Sequence, residues 1–174
     1  MNGVIAYIDD MEGQFCRRIN QLSRRRWIRR FFSLFSRLGD WSFWAAMALI
    51  VLLLQGPSAW PKVLQMILTG GIGVGIYKLL KSRLIRERPY IRHDAIVCGA
   101  APLDQYSFPS GHTLHAVSFT VLLWQFEPLL LPLAAPVAVL IAMSRVILGL
   151  HYPSDVVAGA LLGAALAIAS LAAF

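Results

Sequence analysis

Charged residues are scarce in this chain. They make up 14% of its 174 residues, whereas hydrophobic residues make up 57%. A soluble globular domain has about 25% charged residues, because its surface must face water. The shortage excludes an ordinary soluble domain and predicts that a lipid bilayer is the main solvent of the chain.

Cysteine is also rare. Cys16 and Cys98 lie far apart and neither has a partner motif, so the sequence contains neither a disulfide framework nor a cysteine-based zinc ribbon. No cluster of histidines and carboxylates has the spacing of metal ligands. We therefore expect no metal and no cofactor. The N-terminal residues do not read as a signal peptide, and we expect insertion to depend on the apolar helices that follow.

Acidic residues are the scarcer charge. Nine Asp and Glu residues oppose sixteen Lys and Arg residues, which gives a net charge of +7. The basic residues fall into two blocks, at 17–37 and 62–92, and only Arg145 lies outside them. A nucleic-acid-binding protein would spread its basic residues over one face of a soluble fold. The distribution therefore argues against nucleic acid and favours anionic lipid headgroups or phosphates as partners.

Long apolar runs are what the sequence has in abundance. Several approach the roughly 20 residues that a helix needs to cross a hydrocarbon core. The five predicted spans cover residues 41–54, 61–80, 110–126, 129–148 and 154–174. Asp40 is expected to cap the first of them. The expected fold is an all-α, polytopic transmembrane helix bundle of about five spans, with residues 39–174 as its membrane domain.

Residues 4–38 alternate between apolar and strongly basic side chains. Phe15, Trp27 and Phe31 are interleaved among eight arginines. A helix with an aromatic face and an arginine face can bury the first at the headgroup boundary and present the second to anionic lipid. We predict that residues 1–38 form a separate segment with an amphipathic interfacial helix; a solvated basic tail is the alternative.

Three short polar patterns lie at predicted helix ends, where ionisable residues are costly in a membrane and are functional candidates. In the first, Lys81 and Arg88 are seven residues apart, and Pro89 follows. On a continuing helix the two cations would lie on one side, two turns apart. Together they can hold one phosphate.

The second pattern is Pro109-Ser110-Gly111-His112, at the point where a loop becomes a helix. A helix N-terminus presents free backbone N–H groups and the positive end of the helix dipole, so Ser110 and Gly111 can hold an anion. His112 is then placed beside the bound phosphate.

The third pattern connects Ser144 and Arg145 with His151 and Asp155. The last two residues are four apart across a helix start, so the carboxylate can fix the tautomer of the imidazole and leave its other nitrogen free as a nucleophile. Arg145 is the one charge in an otherwise apolar helix, and it can hold phosphate oxygens in a bidentate way.

Read in order, the patterns are Lys-x6-Arg-Pro, Pro-Ser-Gly-His and Ser-Arg-x5-His-x3-Asp, and the chain resembles the type 2 phosphatidic acid phosphatase (PAP2) superfamily. All eleven fixed positions of that signature are present between residues 81 and 155. The resemblance implies a metal-independent membrane lipid phosphatase. In it His151 would attack phosphorus, Asp155 would orient His151, and His112 would protonate the leaving oxygen and then activate water. The phosphate-binding residues implied are Lys81, Arg88, Ser110, Gly111 and Arg145.

Other polar residues have simpler explanations. We interpret His93 and His115 as interface histidines without a catalytic role. Arg83, Arg86 and Arg92 are interpreted as a positively charged membrane flank.

The predicted reaction is hydrolysis of the terminal phosphate of a lipid whose tail stays in the bilayer, with phosphatidylglycerol phosphate or phosphatidic acid as the substrate type. Undecaprenyl diphosphate, the cell-wall lipid carrier, is the alternative substrate. A non-catalytic membrane protein that binds lipid phosphate is the alternative of another class. The vanadium-dependent haloperoxidases that share the signature are soluble, and the apolar spans argue against them.

The orientation of the site in the cell membrane rests on two opposed arguments. The basic residues on the face that carries the motifs place that face in the cytoplasm by the positive-inside rule, whereas resemblance to bacterial relatives favours the outer face. Because several of these cations are needed for phosphate, we expect the outer face.

Overall fold

Eight α-helices account for most of the described chain. The structure, a computed structural model, describes residues 2–102 and 104–174, and of residues 2–9 the backbone only. The helices are α1 (Asn2–Asn20), α2 (Arg26–Leu38), α3 (Trp41–Gln55), α4 (Trp60–Arg83), α5 (Pro89–Arg92), α6 (Gly111–Phe126), α7 (Leu131–Ile147) and α8 (Pro153–Ala173). No strand occurs among the described residues, so the predicted all-α class is confirmed.

Long apolar helices provide the candidate membrane spans. Within the described residues, three segments are long and apolar enough: Trp41–Arg83, Pro128–Ile147 and Pro153–Ala173. The first contains both α3 and α4, which form a hairpin. Gly56 ends α3 with φ 70°, and Lys62 of α4 donates a hydrogen bond of 2.6 Å to Gln55. With 15 and 16 residues, α3 and α6 are shorter than the roughly 20 residues that cross the hydrocarbon core upright.

Helices α6 and α8 pack backbone to backbone. A Cβ atom on Gly159 would lie 2.5 Å from the carbonyl oxygen of Ser110. A Cβ atom on Gly163 would overlap with the carbonyl oxygen of Leu114. Small residues permit this approach in membrane helix bundles. The hydroxyl of Ser118 lies 2.9 Å from the carbonyl oxygens of both Leu114 and Gly163. The contact fixes the start of α6 beside the start of α8, and these starts carry the second motif and Asp155, the last residue of the third.

One end of the bundle, called the motif end below, collects all three motifs. Helices α3, α6 and α8 begin there, and α4 and α7 end there. Asp40, before α3, contacts His112 of α6, and Arg145 near the end of α7 donates to Ser36 of α2. The alternation of spans predicted from the sequence therefore brings the motifs to one face.

The N-terminal segment forms two helices rather than one. Arg25 is extended, with φ −75° and ψ 119°, and separates a short 3-10 turn after α1 from α2. Buried Asn20 donates to the carbonyl oxygens of Val97 at 2.9 Å and Ile147 at 3.0 Å, which ties α1 to the motif end. On α2, Trp27 is exposed. Contact of this face with a membrane stays a prediction.

Candidate active site

A cavity of about 620 Å³ opens at the motif end, among α3, α4 and α6. Its wall includes six of the eight residues predicted from the motifs: Lys81, Arg88, Gly111, His112, Arg145 and His151. The other two, Ser110 and Asp155, are fully buried behind this wall. The remainder of the cavity is mainly apolar, with Trp44, Ala48, Met66, Ile67 and Val74 among its lining residues. Segments far apart in the sequence thus meet at one cavity.

His151 is held in a tight turn that follows α7. Gly149 has φ 74°, a left-handed conformation that favours glycine, and the N–H groups of Leu150 and His151 both donate to the carbonyl oxygen of Arg145 at 3.0 Å. The turn brings Nε2 of His151 within 3.2 Å of Nη1 of Arg88. Since a guanidinium can only donate, Nε2 carries the lone pair and Nδ1 carries the proton.

The protonation state of His151 suits a nucleophile. Burial, and then the positive charges of Arg145 and Arg88, lower the pKa of His151 well below the usual histidine value. The imidazole is therefore neutral at neutral pH. Its Nδ1 lies 3.6 Å from Oδ2 of Asp155 and has no hydrogen-bond partner among the described residues. The predicted neighbours are adjacent, but at a distance longer than a hydrogen bond.

The carboxylate of Asp155 is fixed by two other groups. Oδ1 accepts a hydrogen bond of 2.7 Å from Arg86, and Oδ2 accepts one of 2.8 Å from the backbone N–H of Tyr152. The interpretation of Arg86 as a membrane-flanking charge is therefore wrong, because its side chain is 19% exposed and pairs with a buried carboxylate. No sequence signal pairs an arginine with a carboxylate 69 residues later.

His112 lies on the first turn of α6 and lines the cavity. Its Nε2 is 3.0 Å from Oδ1 of Asp40. Asp40 occupies the N-cap position of α3 as predicted, but its side chain makes no capping hydrogen bond. The hydrogen bond with His112 lowers the pKa of the Asp40 carboxyl, so the group is ionised at neutral pH and orients the imidazole.

Lys81 and Arg88 converge on Asp104, a residue without a predicted role. Both carboxylate oxygens of Asp104 lie 2.7 Å from Nζ of Lys81, and Oδ1 lies 2.7 Å from Nη2 of Arg88. Burial tends to raise the pKa of Asp104, but the hydrogen bonds and charges of the two cations outweigh burial and lower it. The predicted pair of cations therefore holds an anion, and in this structure the anion is a side chain of the protein.

Arg145 is the third cation of the cavity. It is 2% exposed, its Nη1 donates to Ser36, and its Nε has no hydrogen-bond partner among the described residues. An unpaired N–H on a buried guanidinium is costly, and an anion in the cavity would satisfy it. Within the described chain, no group of three or more His, Cys, Asp or Glu side chains could hold a metal ion. The ligand that these side chains fit is an anion.

Ser110 caps α6 instead of lining the cavity. Its Oγ lies 2.9 Å from Oγ1 of Thr113 and accepts from the N–H of Thr113 at 3.5 Å. Its own N–H donates to the carbonyl oxygen of Asp155 at 3.0 Å. The N–H group and the side chain of Ser110 are thus both engaged within the protein, and its predicted role in holding phosphate stays a prediction. Gly111 does line the cavity, where a Cβ atom would lie 3.3 Å from the ring of Tyr77.

His115 lies in the cavity wall, about one turn after His112. Its two ring nitrogens are 2.9 and 3.1 Å from the carbonyl oxygens of Gly111 and Gly70. The ring therefore connects the backbones of α6 and α4, which is a structural role.

Comparison with known proteins places this geometry in a family. The family model of the PAP2 superfamily matches residues 60–174, which include all three motifs. Decaprenylphosphoryl-5-phosphoribose phosphatase from Mycobacterium tuberculosis is 36% identical over 121 residues, which are 66% of this chain. This chain spans 65% of the length of that relative.

Two solved structures share the fold. LpxE from Aquifex aeolicus is 31% identical in sequence, with a TM-score of 0.76. The match covers 91% of this chain and 93% of the LpxE chain. A transmembrane PAP2-type phosphatidylglycerolphosphate phosphatase from Bacillus subtilis is 26% identical, with a TM-score of 0.68. The match covers 91% of this chain and 84% of the phosphatase chain. The predicted transmembrane helix bundle is thereby confirmed. With its motifs, its fold and the match over residues 60–174, the chain belongs to the PAP2 superfamily.

Proposed function

We propose that this protein is an integral membrane phosphatase that hydrolyses the terminal phosphate of a lipid phosphate through a phosphohistidine intermediate. The observation that carries the proposal is the neutral imidazole of His151, whose Nε2 lone pair lies among the side chains of a cavity that also contains Arg88, Arg145 and Lys81. A nucleophile and three cations in one cavity form a site for an electrophilic anion such as a phosphate ester.

The first half of the reaction forms a covalent intermediate. Nε2 of His151 attacks phosphorus, and the bond from phosphorus to the leaving lipid oxygen breaks. Lys81, Arg88 and Arg145 stabilise the charge on the phosphoryl oxygens, and the N-terminus of α6 at Gly111 adds its dipole. His112, oriented by Asp40, donates a proton to the leaving oxygen.

The second half restores the enzyme. His112, now deprotonated, accepts a proton from water, and the water oxygen attacks the phosphorus of the phosphohistidine. The bond between phosphorus and Nε2 breaks, and inorganic phosphate leaves. No step needs a metal ion, because the cations that balance the phosphate charge are side chains.

The remainder of the cavity supports a lipid as the substrate. Beyond the cations, the lining is largely apolar and comes from α3 and α4, with Trp44, Met66 and Ile67 as examples. A phosphate ester with an acyl or prenyl tail can bury the tail there while its headgroup meets the cations. The preferred substrate type is phosphatidylglycerol phosphate or phosphatidic acid, and the alternative is undecaprenyl diphosphate.

The test is phosphate release in detergent from a panel containing these three lipids, with chelator present. We expect chelator-resistant release by the parent protein and a loss of at least about 1000-fold for His151→Ala, which removes the nucleophile. His93→Gln is the matched control, because His93 does not line the cavity. Quenching a reaction of phosphate-labelled substrate with alkaline denaturant should trap a label that is stable to base but labile to acid, on the parent and on His93→Gln but not on His151→Ala.

A non-catalytic lipid-phosphate-binding protein is the alternative of another class. It predicts that the parent binds the lipids but releases no phosphate, or that the parent and His151→Ala release it equally. Either result would overturn the phosphatase proposal.

We further propose that the motif end faces outward from the cell (inner) membrane. Cys98 is exposed at this end and Cys16 is buried, so the native chain carries one accessible thiol there. A membrane-impermeant maleimide should label Cys98 in intact cells, whereas a Cys98→Ser, Ser58→Cys variant, with its thiol at the opposite end, should resist labelling. The reverse pattern would place the site in the cytoplasm.

A further inference from the structure

Glu12 of α1 makes its contacts at the active site, although it lies outside the residues that define the family. Its Oε1 accepts a hydrogen bond of 2.6 Å from the N–H of Ser154, and its Oε2 accepts one of 2.8 Å from the hydroxyl of the same residue. Ser154 is in the first turn of α8, where backbone N–H groups have no partner within the helix. Glu12 therefore caps α8 from another part of the chain and places a negative charge at its positive end.

The same carboxylate holds Arg86. Nη2 of Arg86 lies 2.7 Å from Oε2 of Glu12, and Nη1 lies 2.7 Å from Oδ1 of Asp155. The guanidinium also lies over the ring of Tyr152, with 4.1 Å from its central carbon to the ring centroid. One planar cation thus joins two carboxylates and is fixed by an aromatic face, a geometry that a lysine could not reproduce.

These contacts form a continuous connection to His151. Glu12 contacts Arg86, Arg86 contacts Asp155, and Asp155 lies 3.6 Å from Nδ1 of His151. The side chains of Glu12 and Arg86 are 13% and 19% exposed, and that of Asp155 is fully buried, so solvent screens these interactions less than it screens a surface pair. A shift of a few tenths of an ångström in Asp155 decides whether its carboxylate accepts a hydrogen bond from the Nδ1–H group of His151.

We propose that Glu12 and Arg86 are positioning residues for the reaction proposed above, and that they act through Asp155 and the start of α8 on the orientation of His151. The N-terminal helix α1 then supports the active site, in addition to any contact that it makes with a membrane. This inference rests on the proposed phosphatase function.

The proposal predicts a loss in the chemical step without a loss in phosphate binding. Glu12→Ala leaves the cations of the cavity in place but removes the support of Arg86 and of α8. We expect kcat to fall about 10- to 100-fold, by analogy with the loss found when residues that orient the ligands of a metal site are removed. KM and the inhibition constant for inorganic phosphate should stay within about 2-fold of the parent values, because Lys81, Arg88 and Arg145 are unchanged.

Graded variants separate positioning from folding. Glu12→Gln keeps an oxygen that can accept from Ser154 but removes the charge that faces Arg86, so its kcat should lie between those of the parent and Glu12→Ala. Arg86→Lys keeps the charge but loses the planar connection, and its kcat should fall as well. The matched controls are Asp10→Asn, at an exposed position of α1, and Glu127→Gln, which changes a carboxylate that bonds to Gln55 at the opposite end.

The double variant Glu12→Ala with Arg86→Ala completes the experiment. If both residues act along one connection, its kcat should be close to that of the worse single variant. Thermal unfolding and size-exclusion profiles of each variant in detergent report the folded fraction, so that kcat is compared per folded molecule.

The inference is supported if kcat falls for the Glu12 and Arg86 variants alone, at unchanged KM and phosphate inhibition. It is overturned if Glu12→Ala has the kcat of the parent, if the two controls lose as much activity, or if KM and phosphate inhibition change in parallel with kcat. A parent protein that hydrolyses no lipid phosphate would overturn the proposed function itself, and the two failures are distinguished by the parent and His151→Ala assays.

Discussion

Asp104 occupies the cation pair that we propose for the substrate phosphate, and its removal should strengthen anion binding. In this structure its carboxylate lies 2.7 Å from both Lys81 and Arg88. A phosphate that binds these cations has to displace the carboxylate first. Asp104→Asn keeps the shape and an oxygen that can accept a hydrogen bond, but it removes the competing charge.

The expected size of the effect follows from the exposure of the groups. Charge-assisted hydrogen bonds from two cations in a buried site would contribute several kcal/mol, but the side chain of Asp104 is 34% exposed. Solvent screening reduces the net contribution to about 1 kcal/mol. In Asp104→Asn, phosphate no longer has to overcome this contribution of the competing carboxylate, so it should bind about 5-fold more tightly.

Competitive inhibition by inorganic phosphate is the assay. The inhibition constant for phosphate and the KM for the lipid phosphate should both be about 5-fold lower in Asp104→Asn than in the parent. Asp94→Asn is the matched control, because Asp94 is an exposed acid of the same loop. An unchanged or higher inhibition constant in Asp104→Asn, or an equal decrease in Asp94→Asn, would refute the competition.

The pH dependence gives a second check on the competition. Because Lys81 and Arg88 lower the pKa of Asp104, its carboxyl stays ionised down to pH values below the usual aspartate range of about 4. The parent should therefore differ from Asp104→Asn throughout neutral pH, and the difference should disappear only as the pH falls through the lowered pKa. A difference that disappears near neutrality would point to another titrating group.

Two further predictions concern His112, the proposed general acid, and the contact between α6 and α8. Asp40→Asn removes the charge that orients His112, so kcat for lipid phosphates should fall about 10-fold at unchanged KM. The loss should be smaller with nitrophenyl phosphate, whose leaving group needs no protonation, and equal losses with both substrates would contradict this role. Gly163→Ala should lower stability by about 1–3 kcal/mol, because its Cβ overlaps with the carbonyl oxygen of Leu114. Gly71→Ala, a helical position with open space, is the control in thermal unfolding, and equal destabilisation of both variants would count against the packing argument.

The sequence by itself determined the solvent, the helical class and the principal cavity residues. Few charges and long apolar runs predict that the chain lies in a bilayer. There, long apolar segments are stable as helices, because each backbone N–H and C=O group is hydrogen-bonded within its own segment. Motif spacing then identified Lys81, Arg88, His112, Arg145 and His151, because ionisable side chains at predicted helix ends are costly unless they have a function. All five line the cavity.

Only the tertiary structure decided which groups hold these residues. Asp40, Asp104, Arg86 and Glu12 are not fixed positions of any of the three motifs, and from the sequence each could equally face solvent or headgroups. Their partners lie 16 to 142 residues away, so the pairings depend on which helices pack together. The close contact of α6 with α8 and the docking of α1 on the motif end set those distances. Because such interactions exist only over a few ångströms, local sequence patterns cannot specify them.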